Sequence, residues 1–255
     1  MAISEERRAS ILRELEVEGR VSVAALCERF NVSEMTVRRD LVELQEQGLV
    51  RRHRGGATLL RGRSNEPPFL LRASRATDDK QRIAAHVAGL IEDGESVAMT
   101  YGTTVLEVAR GLAANASDLT VVTPDLRVAV ELTSARNVRI VLAGGLVRRG
   151  ELSMRGRETE RTFQDHLCDT AVIGAAGVHP TFGITDYHSE EAEVLRAVVA
   201  GSRRVIVAAD ASKIDDVAFA RVVPLRDIDV LVTTGGGAEE TLDAVRAQGT
   251  DVVVV

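Results

Sequence analysis

The 255-residue chain has no apolar run approaching the roughly 20 residues that a membrane-spanning helix requires. Met1 is followed by a charged helical stretch with no apolar core of the secretory type, so the expected location is the cytoplasm, away from any membrane. Cysteine is scarce: Cys27 and Cys168 stand far apart with no CxxC spacing, which excludes a disulfide framework and reads as two small core hydrophobes. His53, His86, His166, His179 and His188 form no HExxH and no tight cluster. Neither a metal nor an organic cofactor is therefore expected.

Net positive charge is also lacking, at −6 overall, yet the sum hides an asymmetry. Residues 1–63 carry 12 basic and 10 acidic side chains, a net +2, while residues 64–255 carry 20 and 28, a net −8. A cationic end on an acidic body orients a protein on a phosphate backbone and discourages non-specific wrapping. Seven arginines between Arg38 and Arg63 supply most of that local charge.

The stretch from Val32 to Leu41 organises the basic end. Ser33 reads as an N-cap, Glu34 sets a carboxylate at the positive end of the helix, and Val32 with Val37 occupy the positions of a hydrophobic staple. Val37, Leu41 and Leu44 form one buried stripe, Thr36, Arg38 and Arg39 lie off it, and Gly48 supplies the stop. Upstream, Ser4 is placed as the cap of a helix carrying Ile11, Leu12 and Leu15 and ending at Gly19; Ser22 caps a second, carrying Val23, Leu26, Cys27 and Phe30. Helix, helix, tight turn, helix is the order of a helix-turn-helix, whose last helix reads a major groove about 12 Å wide. Arginine bonds bidentately to guanine or phosphate, and threonine bonds an acceptor or touches a thymine methyl. Leu49–His53 and Ala57–Leu60 are expected to pair across Arg54-Gly55-Gly56 as a wing.

The run VSEMTVRRDLVELQEQGLVRRHRGGA resembles the DNA-binding end of the DeoR family of bacterial transcriptional regulators, whose pattern is close to VS..T.RRDL..L...G...R.HGGA. One departure is Arg54, an additional residue within the His-Gly-Gly turn. The resemblance implies that Thr36, Arg38 and Arg39 touch bases or phosphates, supported by Ser33 and by Arg51, Arg52, His53 and Arg54 of the wing. Double-stranded operator DNA is then the first partner.

Arg61–Pro68 is polar and ends in a Pro-Pro pair, the composition of a linker, with Phe69, Leu70 and Leu71 expected to dock on the second domain. The expected boundaries are a winged helix-turn-helix over 1–60, a linker over 61–76 and an α/β domain over 77–255. In the last, β-branched runs at 96–99, 119–122, 138–142, 170–174, 205–208, 230–233 and 252–254 alternate with helical stretches, which argues for a mostly parallel sheet between helical layers. In such sheets ligands bind outside the carboxyl ends of the strands. Thr100-Tyr101-Gly102-Thr103-Thr104 follows a strand and opens a helix, a combination suited to cradling an anion. Ala143-Gly144-Gly145 and Asp210-Ala211-Ser212-Lys213 occupy equivalent places, the second with a lysine that suits a phosphate. Capping and surface turns are the competing readings of these loops.

These strings, with Gly183-Ile184-Thr185-Asp186 and Glu191-Ala192-Glu193-Val194, are similar to the DeoR-type sensor domain, whose fold resembles ribose-5-phosphate isomerase and which binds a phosphorylated sugar or related metabolite. The resemblance implies a three-layer α/β fold in which Gly102, Thr103 and Thr104 hold phosphate, Gly144 and Gly145 line the pocket, and Asp186, Glu191 and Lys213 meet the sugar or close the site. Where many relatives have Thr-Asn, this chain has Thr123-Pro124-Asp125; an aspartate there repels a dianion but can bond a hydroxyl. The competing function is an aldose–ketose isomerase carrying a DNA-binding domain, which needs a carboxylate base beside the sugar C2 proton. The related isomerases carry it in a Gly-Ala-Asp loop; here the run is Gly174-Ala175-Ala176-Gly177, with Asp186 or Glu191 left as substitutes. A non-enzymatic, homo-oligomeric repressor of carbohydrate genes is the expected function, because one short reading helix spans too few base pairs.

Overall fold

The computed structural model describes residues 2–60, 62–115, 118–236 and 238–255, and they divide into two compact units, Met1–Arg75 and Ala76–Val255. Arg61, the first residue of the expected linker, lies outside the described residues.

In the first unit α1 (Ala2–Glu18), β1 (Arg20–Ser22), α2 (Val23–Phe30), α3 (Glu34–Glu46), β2 (Val50–His53), β3 (Gly56–Leu59) and α4 (Phe69–Ala73) follow in order. Ile11, Leu12, Leu15, Leu26, Val37, Leu41, Leu44 and Val50 make one core, with Val32 packed against it as a staple requires. The Ser22 hydroxyl caps α2 by accepting from the Ala25 amide at 3.1 Å, and Asn31 ends that helix in the left-handed region. Gly48, at φ +72°, closes α3: its amide bonds Gln45 and that of Leu49 bonds Leu44, which is a Schellman motif. Ser4 is not a cap, because α1 already begins at Ala2.

The hairpin of β2 and β3 pairs Val50 with Leu59 and His53 with Gly56, leaving Arg54-Gly55 as a two-residue turn with Gly55 at φ +92°. Arg54 thus lies in the turn itself. A third strand that sequence patterning does not reveal, β1, pairs antiparallel with β3. Its approach explains Gly56: a Cβ there would lie 2.0 Å from the Val21 carbonyl oxygen. The segment after the Pro-Pro pair differs from expectation too. Leu71 is buried in the core of this unit, and α4 falls within it.

The second unit holds a seven-stranded, all-parallel sheet of β4 (Ser96–Met99), β5 (Leu119–Thr123), β6 (Val138–Leu142), β9 (Cys168–Ile173), β12 (Ser202–Ala208), β14 (Val230–Thr233) and β15 (Asp251–Val254), in the order β15-β14-β12-β9-β4-β5-β6. Thr170 to Ile173 are all buried, so both faces of the central strand are covered. The covering helices are α5 (Thr77–Gly89), α6 (Thr103–Asn115), α7 (Leu126–Leu132), α8 (Arg157–Asp165), α9 (Ser189–Ala200) and α10 (Glu239–Arg246). Two antiparallel additions, again not visible in the patterning, decorate the sheet: the two-stranded β7 (Leu146–Val147) and β8 (Met154–Arg155), and β10 (Gly177–His179), β11 (Gly183–Asp186) and β13 (Ala220–Arg221). Cys168 is buried, and burial pushes its thiol up to about 11, consistent with a core role. No helix among the described residues is long and apolar enough to cross a membrane.

From β4 the chain steps outward through β5 to β6, then returns to place β9 on the other flank of β4. The connections after β4 and β9 therefore leave in opposite directions and open a crevice between them, the position where open parallel sheets bind ligands.

Candidate nucleic-acid interface and candidate effector site

The face of α3 opposite the core is polar from its first turn. Ser33 spends its hydroxyl on the cap, accepting from the Thr36 amide at 3.3 Å and lying 2.9 Å from the Thr36 hydroxyl. Arg38 is drawn along the helix to Glu34, with bonds of 2.9 and 2.5 Å to one carboxylate oxygen. Arg39 is exposed and has no ion pair among the described residues, so on α3 it is more available than Arg38 to a phosphate or base edge. Arg51, Arg52, His53 and Arg54 are all exposed on the wing. Alternation separates them: Arg52 shares the pleat side of the buried Val50, and Arg51 and His53 take the other.

The residue that sequence reading missed is Asp40. It is buried in the middle of α3 and receives Arg7 Nε at 2.6 Å and Nη2 at 3.1 Å from α1, while Arg8 reaches Glu43 at 3.2 Å. The bond to Asp40 raises the Arg7 guanidinium further above its ordinary range. This fork ties the supporting helix to the reading helix. Its only trace in sequence is an acid set three residues after Val37 on the apolar stripe, one place before Leu41.

In the second unit the crevice between β4 and β9 gathers several of the expected loops. Thr100 is buried and its Oγ1 accepts from the Gly174 amide at 3.3 Å, and a Cβ on Gly174 would lie 3.3 Å from the Tyr101 carbonyl oxygen. Gly102, at φ +111°, has open space where a side chain would stand, and α6 starts one residue later with Thr103 and Thr104 buried. The Tyr101 hydroxyl points to Asp186 Oδ2 at 3.4 Å, and Asp186 Oδ1 accepts from the His188 amide at 3.1 Å. Asp210 caps the short turn Ala211–Lys213 through Ser212, and Lys213 is half-buried at its end. Thr100 and Tyr101, which hold this crevice together, belong to the run expected to cradle an anion, but sequence reading gave neither a role of its own.

Other expected residues have internal partners. Glu191 is fully buried, with Oε2 bonded by Arg148 at 2.7 Å and Oε1 by Ser153 at 3.0 Å. Gly144 accepts from the Thr159 hydroxyl at 2.7 Å through its carbonyl, and a Cβ on Gly145 would fall 2.2 Å from Thr159 Oγ1. Gly145 thus permits α8 to approach the end of β6.

Asp125 is the N-cap of α7, accepting from the amides of Arg127 at 2.7 Å and Val128 at 3.4 Å through Oδ1. The hairpin of β7 and β8 closes over it: Ser153 bridges to Asp125, Leu126 bonds Leu152, and the Arg127 guanidinium bonds the carbonyls of Gly150 and Glu151. Asp125 is only 1% exposed and its Oδ2 is unpartnered among the described residues. Burial pushes its carboxyl up to about 6, against the opposing pull of the Arg127, Val128 and Gly102 amides and the Arg127 charge.

Comparison with known proteins bears on both units. Residues 7–62 match the family model described as the DeoR-like helix-turn-helix domain, and residues 75–235 match that of the DeoR C terminal sensor domain. The chain is 32% identical to the HTH-type transcriptional repressor GlcR of Bacillus subtilis (strain 168), across 98% of this chain and 96% of that one. It is 34% identical to the glycerol-3-phosphate regulon repressor of Escherichia coli (strain K12), across 89% of this chain and 90% of that one. Among solved structures, a ribose 5-phosphate isomerase A from Methanocaldococcus jannaschii aligns over 54% of each chain at 15% identity with a TM-score of 0.40, a likeness too remote to carry an argument.

Proposed function

Because the chain belongs to the DeoR family of transcriptional regulators, we propose that it is a cytoplasmic repressor of carbohydrate-metabolism genes that leaves its operator when a phosphorylated sugar or related metabolite enters the second unit. The observation that carries the reading is the pairing, in one chain, of a cationic capped helix and wing with a parallel sheet whose loops converge at its switch point. Ser33, Thr36, Arg38 and Arg39 are assigned to the major groove and Arg51, Arg52, His53 and Arg54 to the flanking backbone. Gly102, Thr103 and Thr104 are assigned to the phosphate, with Asp125, Asp186 and Lys213 around the sugar. Gly144 and Gly145 are assigned to the pocket lining and Glu191, held by Arg148 and Ser153, to closing the site.

Two copies reading repeated half-sites would double the contacts of one short helix, so a homo-oligomer is part of the proposal. The effector must then bind one arrangement of the DNA-binding units better than the other, because a ligand with equal affinity for both shifts nothing. Isomerase activity is not favoured: the Gly174–Gly177 loop offers no acid, and Glu191 is neutralised by Arg148. A gel shift on the DNA flanking the protein's own gene, repeated with individual sugar phosphates, tests the reading. Salt-sensitive retardation relieved by one of them is expected; ketose formation from an aldose phosphate would overturn the non-enzymatic assignment.

A further inference from the structure

The carboxyl group of Asp125 has two different halves. One oxygen is committed to the first turn of α7, and the other is buried without a hydrogen-bond partner among the described residues, in a carboxyl at the carboxyl end of β5 that also feels the Gly102 amide. A buried acceptor left unbonded carries its desolvation penalty uncompensated, the more so if charged. Capping alone does not account for it, since a serine hydroxyl satisfies the same amides without adding a second oxygen. The carboxyl is within reach of the Gly102 amide, one residue before α6, a helix of 13 residues whose N-terminal side is open above Gly102.

We propose that Asp125 is the specificity-determining residue of the effector site: its unpartnered oxygen accepts a hydrogen from a ligand hydroxyl next to the phosphate, so that the site takes a polyhydroxylated phosphate ester and turns away inorganic phosphate. The inference rests on the sugar-phosphate reading above and adds to it the group that discriminates.

The chemistry around the oxygen supports this assignment. Facing it are the Arg127 charge and the Arg127 and Val128 amides from α7 and the Gly102 amide from the β4 loop. From the covering hairpin come Ser153, whose hydroxyl bonds Glu191, and the Glu151 carbonyl, which Arg127 occupies. None of these bonds Oδ2. An ionised carboxylate repels a bare phosphate dianion and accepts from a hydroxyl; once protonated it becomes a donor and welcomes phosphate. With its carboxyl at about 6, Asp125 discriminates best above that pH and loses discrimination below it.

The test is calorimetric titration of the full-length protein with inorganic phosphate, glycerol 3-phosphate, ribose 5-phosphate, glucose 6-phosphate and fructose 6-phosphate, at pH 7.5 and pH 5.5. Asp125→Ser keeps the cap and removes the second oxygen; Asp125→Asn keeps the cap and replaces the acceptor with a donor. At pH 7.5 both are expected to weaken the tightest sugar phosphate by about tenfold, the loss typical of an unmade hydroxyl contact, while Asp125→Asn strengthens inorganic phosphate. The ratio of wild-type to Asp125→Ser affinity for inorganic phosphate is expected to rise at pH 5.5, a ratio from which the titration of phosphate itself cancels. Equal weakening of sugar phosphate and inorganic phosphate in both variants, or unchanged affinity for either, would overturn the assignment while leaving the sensor reading intact. If the wild type binds none of the phosphate esters, the sensor reading falls and this inference falls with it.

Discussion

The two units put their polar side chains to opposite uses. In the first, the residues assigned to a partner stand on the outside of a helix and a hairpin, and the groups beneath them, Asp40 with Arg7 and Gly56 against Val21, fix the scaffold. In the second, the assigned residues lie at strand ends within a web of internal bonds: Thr100 to Gly174, Tyr101 to Asp186, Glu191 to Arg148 and Ser153. A duplex is wide and charged and needs only a rigid, exposed tip. A small metabolite shifts a conformational equilibrium only through interactions that differ between the two states, and polar groups held at strand ends can supply that difference.

The contrast can be broken at its scaffold first. Asp40→Ala leaves the half-buried Arg7 without its carboxylate and is expected to destabilise the first unit by about 1–3 kcal/mol, the cost of losing a charged hydrogen-bonded partner. Chemical denaturation followed through operator binding checks this; a loss below about 1 kcal/mol would reclassify the pair as a surface bridge. In the second unit Gly145→Ala drives a methyl into Thr159 and the Arg155 carbonyl, at a residue whose φ of +140° already disfavours a side chain, and should cost about 2–4 kcal/mol. Gly144→Ala meets open space and should stay within about 1 kcal/mol. Similar thermal midpoints for the two variants would contradict the close approach of α8.

Asp125 sharpens the comparison by pH. Its folded carboxyl is raised to about 6 from an ordinary 3.8, so between those values the folded state holds more protons than the unfolded one and stability falls as pH rises. The cost is complete above pH 6 and amounts to about 3 kcal/mol at most. Asp125→Asn should therefore match or exceed the wild type at pH 7.5 and lose that advantage near pH 4, read as thermal midpoints; parallel midpoints across the range would mean that the carboxyl is not buried in solution.

Legibility in the sequence divides along the same line as function. The helices of the first unit announce themselves because caps, stops and the apolar stripe are local: Ser22, Ser33 and Gly48 do what their positions predict. The strands of the parallel sheet were equally readable, since β-branched runs buried on both faces are continuous. What escaped depends on distant pairing. β1 is three residues whose role appears only beside β3, and Asp40 is structural only because Arg7 arrives from 33 residues away. The Thr100–Thr104 loop was identifiable as a strand-to-helix turn, but its place at the switch point follows from strand order, which no local pattern encodes. The burial of Glu191 and its bonds to Arg148 and Ser153 are likewise invisible in one dimension.

The most direct test of the two-ended account is fluorescence anisotropy of a labelled operator duplex across a salt series, for wild type and Arg39→Ala, with and without the sugar phosphate that binds the protein. The account predicts that affinity falls steeply with salt, that Arg39→Ala lowers the slope of log affinity against log salt by about one, and that the sugar phosphate weakens the wild-type complex. Affinity indifferent to salt, to Arg39 and to every phosphate ester would contradict it.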